Sequence, residues 1–300
     1  MSFEARTDLA LESGERIFKE PVEIHGVRIE EMESEYDDIK TTVVHIESEN
    51  GSKAMGKPQG RYITIEAPDL LDGEDEYREQ VAKEMARQLQ CLISLEKEQS
   101  ILVVGLGNQN ITPDALGPWT MERLRITRHL ILTYGKECLG KEMAHKISAL
   151  TPGVMATTGM ETLEIIKGVA EETKPDLVIV VDALAARGLK RLGRTIQMTD
   201  AGIHPGSGVG NHRNGITEET LGVPVLGIGV PTVVDAATIV CDAMEHMMEC
   251  LDHSEREHFL SETLTPNLRS MFVTPRDVDE SVRILSETIS QGINLAFGSV

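Results

Sequence analysis

Apolar positions along this chain change their spacing from one region to the next. Between Val22 and Ala67 they alternate with polar ones in the runs VEIHGVRI, KTTVVHIES and RYITIEAP, which are separated by charged or glycine-bearing stretches such as NGSKAMGKPQG. That pattern predicts a small antiparallel β region near the N-terminus. From Asp72 to Leu95 the spacing lengthens, with Tyr77, Val81, Met85, Leu89, Leu92 and Leu95 recurring three or four residues apart, which predicts an amphipathic helix. Beyond Ile101 strand-sized apolar runs alternate with helical patterns. They predict strands over 101–105, 129–132, 177–181, 194–199 and 223–229, and helices over about 114–127, 161–173, 235–251 and 275–295. Such alternation belongs to an α/β fold with a largely parallel sheet covered by helices on both faces.

Two stretches stand outside this pattern. Residues 1–20, MSFEARTDLALESGERIFKE, are polar and charged without clear period, and they read as a mobile arm. Residues 21–300 then form a single α/β domain that includes the β subregion 22–67. Ala201–Gly222, AGIHPGSGVGNHRNGITEETLG, carries too many glycines for a helix or strand interior and predicts a long surface loop holding His204 and His212.

Composition narrows the classes. With 40% hydrophobic residues the chain can bury a sizeable core, and with only 3% aromatics that core is mostly aliphatic. Lys and Arg number 29 against 49 Asp and Glu, a formal net charge of −20, so the surface repels nucleic-acid backbones and anionic lipid. Cys91, Cys138, Cys241 and Cys250 form no CxxC pair, which points to free thiols in a reduced intracellular compartment. The longest apolar runs are strand-sized, well short of the roughly 20 residues of a membrane-spanning helix, and no secretory signal pattern is present.

The candidate chemistry lies where two apolar runs end. ILVVG at 101–105 breaks into glycines and leads to Asp114, and LVIVV at 177–181 leads to Asp182. In an open α/β sheet, ligands and reacting groups gather beyond the carboxyl ends of the strands. Gly105 and Gly107 suggest a dinucleotide turn, but Asn110 stands where that fingerprint needs a third glycine, and no phosphate-binding loop motif occurs. Each aspartate could simply cap a following helix. If they approach within a few ångströms, one keeps its proton while the other acts as a base toward water, an arrangement suited to amide hydrolysis. A metal held by both aspartates and a loop histidine is the alternative, without any HExxH pattern to support it, and no GxSxG serine elbow is present.

Longer blocks carry a family resemblance: RTDLALE at 6–12, GRYITIEAP at 60–68, VVGLGNQNITPDALGP at 103–118, TPGVMATTGMET at 151–162, PDLVIVVDALAAR at 175–187, TIQMTDAGIHPGSGVGNHR at 195–213 and GVPVLGIGVPTVVDA at 222–236. In these the chain resembles the germination proteases of spore-forming bacteria, endopeptidases that degrade small acid-soluble spore proteins. The resemblance implies a fold shared with hydrogenase-maturation endopeptidases, a homotetrameric zymogen in the cytoplasm of the spore core, and an atypical aspartic active site without cofactor or metal. The family's essential aspartates fall on Asp114 and Asp182, and neither lies in a D-[ST]-G motif. The family also removes its own propeptide within R-T-D-L-A, which places the cut between Asp8 and Leu9 and makes residues 1–8 the propeptide. The segment D-L-A-L-E is similar to the E-[IF]-A-S-E pattern cut in the substrates. Two other readings compete: a metal-dependent maturation-type peptidase, and a non-catalytic module that holds a peptide in the loop 201–222.

Overall fold

A computed structural model of the chain describes residues 7–12, 24–32, 34–36, 38–93, 97–140, 144–205, 214–244, 255, 263–265 and 267–298. In chain order, β1 (Val27–Met32) and β2 (Lys40–Ile46) are followed by α1 (Glu49–Met55), β3 (Gly60–Glu66) and α2 (Asp75–Leu92). Then come β4 (Ser100–Gly105), α3 (Leu116–Met121), α4 (Arg128–Tyr134), β5 (Lys146–Leu150), α5 (Thr162–Thr173), β6 (Leu177–Ala186) and β7 (Thr195–Thr199). The chain continues through β8 (Val225–Asp235), α6 (Ala236–Ala243), β9 (Phe272–Val273) and α7 (Val278–Phe297).

Among the described residues, these strands join one sheet in the order β1-β2-β3-β7-β8-β6-β4-β5, with β9 paired to β8. The sheet is mixed rather than largely parallel: β8, β6, β4 and β5 run parallel, whereas β1 to β3, β7 and β9 pair antiparallel. The antiparallel region near the N-terminus is therefore an extension of the main sheet, joined to it where β3 pairs with β7. Alternating residues divide the core. Ile101, Val103, Ile179, Val181, Ile196, Met198 and Ile228 pack with α2, α3 and α7, whereas Leu102, Val104, Val178 and Val180 pack with Leu163 and Ile166 of α5. Further along this second face, over β6, β8 and β2, part of the cover is the N-terminal segment, which is helical at residues 10–12.

That segment corrects the expectation of a mobile arm, as far as its described residues go. Leu9 and Ala10 are fully buried, and Leu11 nearly so. Leu9 packs with Ala186, Leu192 and Val234, and Ala10 with Val44, Ile46, Met55 and Tyr62. Burying one leucine side chain stabilises by about 1.5–3 kcal/mol, enough to hold a short segment against the sheet. Since Leu9 and Ala10 meet different pockets, the segment has no period to betray it.

Three further expectations change. The run at 129–132 lies in helix α4, because so short an apolar run carries no period that separates strand from helix. The parallel edge strand is β5, whose KISAL sequence buries little beyond Ile147. The helix expected over 114–127 is reduced to a 3₁₀ turn at Thr112–Asp114 and α3, after which Thr127 is tied to β5 by bonds to His145 and Ile147. Strand β6 runs on through Ala186 because β8 stays paired with it as far as Val234.

Candidate active site

The turn after β4 fixes Asp114 by close packing. A Cβ at Gly105 would run into the carbonyl oxygen of Gly117, and one at Gly117 would run into the Leu106 backbone, so only glycines let α3 lie this near the sheet. Gly107 has φ +109°, and a Cβ there would overlap the carbonyl oxygen of Asp114. The glycines thus serve to bring Asp114 close, not to cradle a phosphate. The Asn108 N–H donates to Asp114 Oδ2 at 2.8 Å, and the Thr232 hydroxyl holds the Pro113 carbonyl at 2.7 Å. Helix capping therefore does not account for Asp114: its bond goes back to the preceding turn, and α3 has no side-chain cap.

Asp182 is likewise no helix cap, since it lies within β6, 8% exposed, with Oδ1 accepting from the Ala183 N–H at 2.9 Å. Beside it β4 has just parted from β6: the last register pair is Gly105 with Val181, and the Leu106 N–H donates to the Val181 carbonyl at 2.8 Å. The turn leading to Asp114 is thereby tied to the residue preceding Asp182. Across the sheet, Asp182 is in register with Gly229 on β8, and Gly229 with Gln197 on β7. Residues in register project to one face, so Asp182 and Gln197 face the same side with only a glycine between them.

The described N-terminal segment is docked on this face. The Asp8 N–H donates to the Ala185 carbonyl at 3.0 Å, and Asp8 Oδ2 accepts from the Ala185 N–H at 3.0 Å. The Ala10 N–H donates to Gln197 Oε1 at 2.6 Å. The Asp8 carbonyl accepts from Lys57 Nζ at 2.9 Å and from Gln197 Nε2 at 3.1 Å. Glu12 is buried where it accepts from the Thr7 hydroxyl and from the N–H groups of Arg187 and Gly188 at 2.8 and 2.9 Å, with Arg191 Nη1 at 3.6 Å. Asp8, Leu9, Ala10 and Glu12 each have a distinct receptor, with Asp8 on one side of the Asp8–Leu9 bond and the other three on the other.

Lys57 and Gln197 went unnoticed in the sequence. Gln197 does leave a trace, since Thr195, Gln197 and Thr199 alternate with buried Ile196 and Met198 and so put three polar side chains on one face of an interior strand. Lys57, in a loop after α1, leaves none.

Of the two loop histidines, His204 is described and His212 lies outside the described residues, as do His253 and His258. The His204 ring packs on Gly215, and burial there, with the Lys57 cation nearby, pushes its pKa below the ordinary value. Among the described residues, no group of three or more His, Cys, Asp or Glu side chains comes together as a metal-ligand set. Cys91 and Cys138 are free, exposed thiols, while Cys250 lies outside the described residues. Among those residues too, no helix is long and apolar enough to cross a membrane.

Comparison with known proteins gives a consistent result. The family model for germination protease matches residues 2–258. The germination protease of Caldanaerobacter subterraneus subsp. tengcongensis is 48% identical, with 97% of this chain and 93% of that protein aligned. Those of Clostridium perfringens and Bacillus subtilis are 44% and 36% identical, covering 98% and 97% of this chain and 95% and 92% of their own. Among solved structures, a nickel–iron hydrogenase maturation protease from Thermococcus kodakarensis aligns with 69% of this chain and 99% of its own at 19% identity, with a TM-score of 0.35.

Proposed function

The chain belongs to the germination protease family, and from that premise we propose that it is the endopeptidase that begins the breakdown of small acid-soluble spore proteins during germination. It is made as a zymogen, cuts its own chain between Asp8 and Leu9, and works as a homotetramer in the cytoplasm of the spore core. Asp114 and Asp182 carry the reaction and share one proton between them. The ionised carboxylate takes a proton from water, the water oxygen bonds to the carbonyl carbon of the acidic residue before the cut, and the protonated partner gives its proton to the leaving nitrogen as the C–N bond breaks. The products are a new carboxyl terminus and a new amine, with no cofactor or metal required.

The observation that carries this reading is the docked segment Thr7–Glu12. Its Asp-Leu-Ala-x-Glu order resembles the substrate pattern of the family, and each of those four side chains meets a receptor that selects for it: backbone N–H of Ala185 for the acid, an apolar pocket for leucine, a tight pocket for alanine, and two N–H groups with Arg191 for the glutamate. A module that merely held a peptide would need no carboxylate on the face that holds it, whereas Asp182 faces the same side as Gln197, which grips the segment.

Asp114→Asn and Asp182→Asn are each expected to keep the wild-type melting temperature within a few degrees and to lower cleavage of a purified spore-protein substrate by at least about a thousandfold. A folded variant that keeps more than a tenth of the wild-type rate would contradict the assignment. Activity that disappears on exhaustive chelation would replace it with the metal-dependent reading. Sedimentation of the purified protein tests the tetramer.

A further inference from the structure

The groups that grip the Asp8 carbonyl are separate from the aspartate pair. Two donors converge on that one oxygen, Lys57 Nζ at 2.9 Å and Gln197 Nε2 at 3.1 Å. Both are held in place by the fold. The Lys57 N–H donates to the Ser52 carbonyl at 3.2 Å, its own carbonyl accepts from the Ser52 hydroxyl at 2.6 Å, and Gly56 at φ +63° turns the chain out of α1 to place it there. Gln197 lies on β7, paired on both sides by β3 and β8, and the Ala10 N–H engages Oε1 and so leaves Nε2 aimed at the Asp8 oxygen.

A neutral carbonyl in a bound peptide is satisfied by one neutral donor. Placing a half-buried cation beside a second donor is favourable when the oxygen becomes negative, because a preorganised charge in a poorly solvated place acts most strongly on charge that develops during the reaction. Burial does push the Lys57 ammonium below its ordinary pKa, and the carboxylates of Asp8 and Glu12 oppose that effect. The lowered pKa of nearby His204 favours its neutral form, which adds no competing charge.

We propose that Lys57 and Gln197 form the oxyanion hole of this peptidase, stabilising the negative charge on the carbonyl oxygen of the residue before the cut while water adds to its carbon. The assignment rests on reading Asp8–Leu9 as the bond that is cut. The added water oxygen becomes part of the new carboxylate, the electron pair of the C–N bond leaves with the Leu9 nitrogen, and Lys57 and Gln197 exchange no proton. In a spore-protein substrate the same two donors receive the carbonyl of the acidic residue that precedes the large apolar one.

The test uses the purified full-length chain with Lys57→Met and Gln197→Glu. The second variant keeps an oxygen to accept from the Ala10 N–H but removes the donor. Release of residues 1–8 is followed by intact mass after a shift to mildly acid pH, and amide hydrogen exchange of residues 9–12 reports whether the segment stays docked. Each variant is expected to cut about 10²–10³-fold more slowly while protection of the segment persists. Rates within about threefold of wild type, or a rate loss matched by an equal loss of protection, would overturn the oxyanion assignment. Wild-type protein that never releases residues 1–8 would instead overturn the cut-site reading, and this assignment with it.

Discussion

The two halves of the candidate site are built in different ways. On the side of Asp114, the contacts are backbone against glycine: Gly105, Gly107 and Gly117 let the turn and α3 close on β4 and β6, where any Cβ would force them apart. On the side of the docked segment, the contacts are reversible hydrogen bonds and apolar pockets, from Ala185, Gln197, Lys57 and the N–H groups of Arg187 and Gly188. The first half is closely packed through its backbone, as suits a group that must stay fixed through a reaction. The second can release one peptide and accept another. The proposed self-processing would need this division, because the first substrate would have to leave before the next arrives.

That contrast is sharpened by substitutions that strike one half at a time. The largest effect is expected from Gly107→Ala. It forces a left-handed backbone onto an alanine and drives a Cβ into the Asp114 carbonyl, so stability should fall by about 2–4 kcal/mol together with a loss of cleavage, read by denaturant unfolding and by mass. On the other half, Ala10→Leu overfills the pocket of Val44, Ile46, Met55 and Tyr62. There the segment can lift away, so self-cleavage should slow by roughly a hundredfold while the melting temperature moves by no more than a few degrees. An equal loss of stability in the two variants would erase the distinction.

The smallest effect concerns pH away from both halves. Burial lowers the pKa of His145, whose Nδ1 accepts from the Gln99 N–H at 3.2 Å and whose ring meets Phe297 edge-on. The unfolded chain therefore binds the proton more readily. The contribution of His145 to stability is complete above the ordinary histidine pKa of 6.5 and declines as pH falls from there toward the folded value. His145→Asn should flatten the fall in melting temperature between pH 7 and 5, and an unchanged slope would remove His145 from the account.

Much of this arrangement was legible in the residues, and the remainder was hidden for identifiable reasons. The helices over 75–92 and 162–173 follow from long periodic stretches, and Thr195–Thr199 from its alternation. The length of β6 was concealed by Asp182, because an aspartate after four apolar residues looks like a strand end. The parallel character was overestimated because strand alternation alone does not show that β7 enters between β3 and β8 in the antiparallel sense. Within the site, the family resemblance singles out Asp114, Asp182 and the Asp8–Leu9 bond, while the approach of Lys57 and Gln197 to the Asp8 carbonyl depends on contacts between residues far apart in sequence.

The central claim is that the docked segment lies on the sheet as a substrate, with the Asp8–Leu9 bond as the one that breaks. The most direct measurement is the intact mass and N-terminal sequence of the purified full-length chain after incubation at mildly acid pH, beside an Asp182→Asn chain treated identically. The account predicts that the wild-type chain loses residues 1–8 and begins at Leu9, while the variant remains whole. A wild-type product that begins elsewhere, or a variant that reaches Leu9 at the wild-type rate, would contradict it.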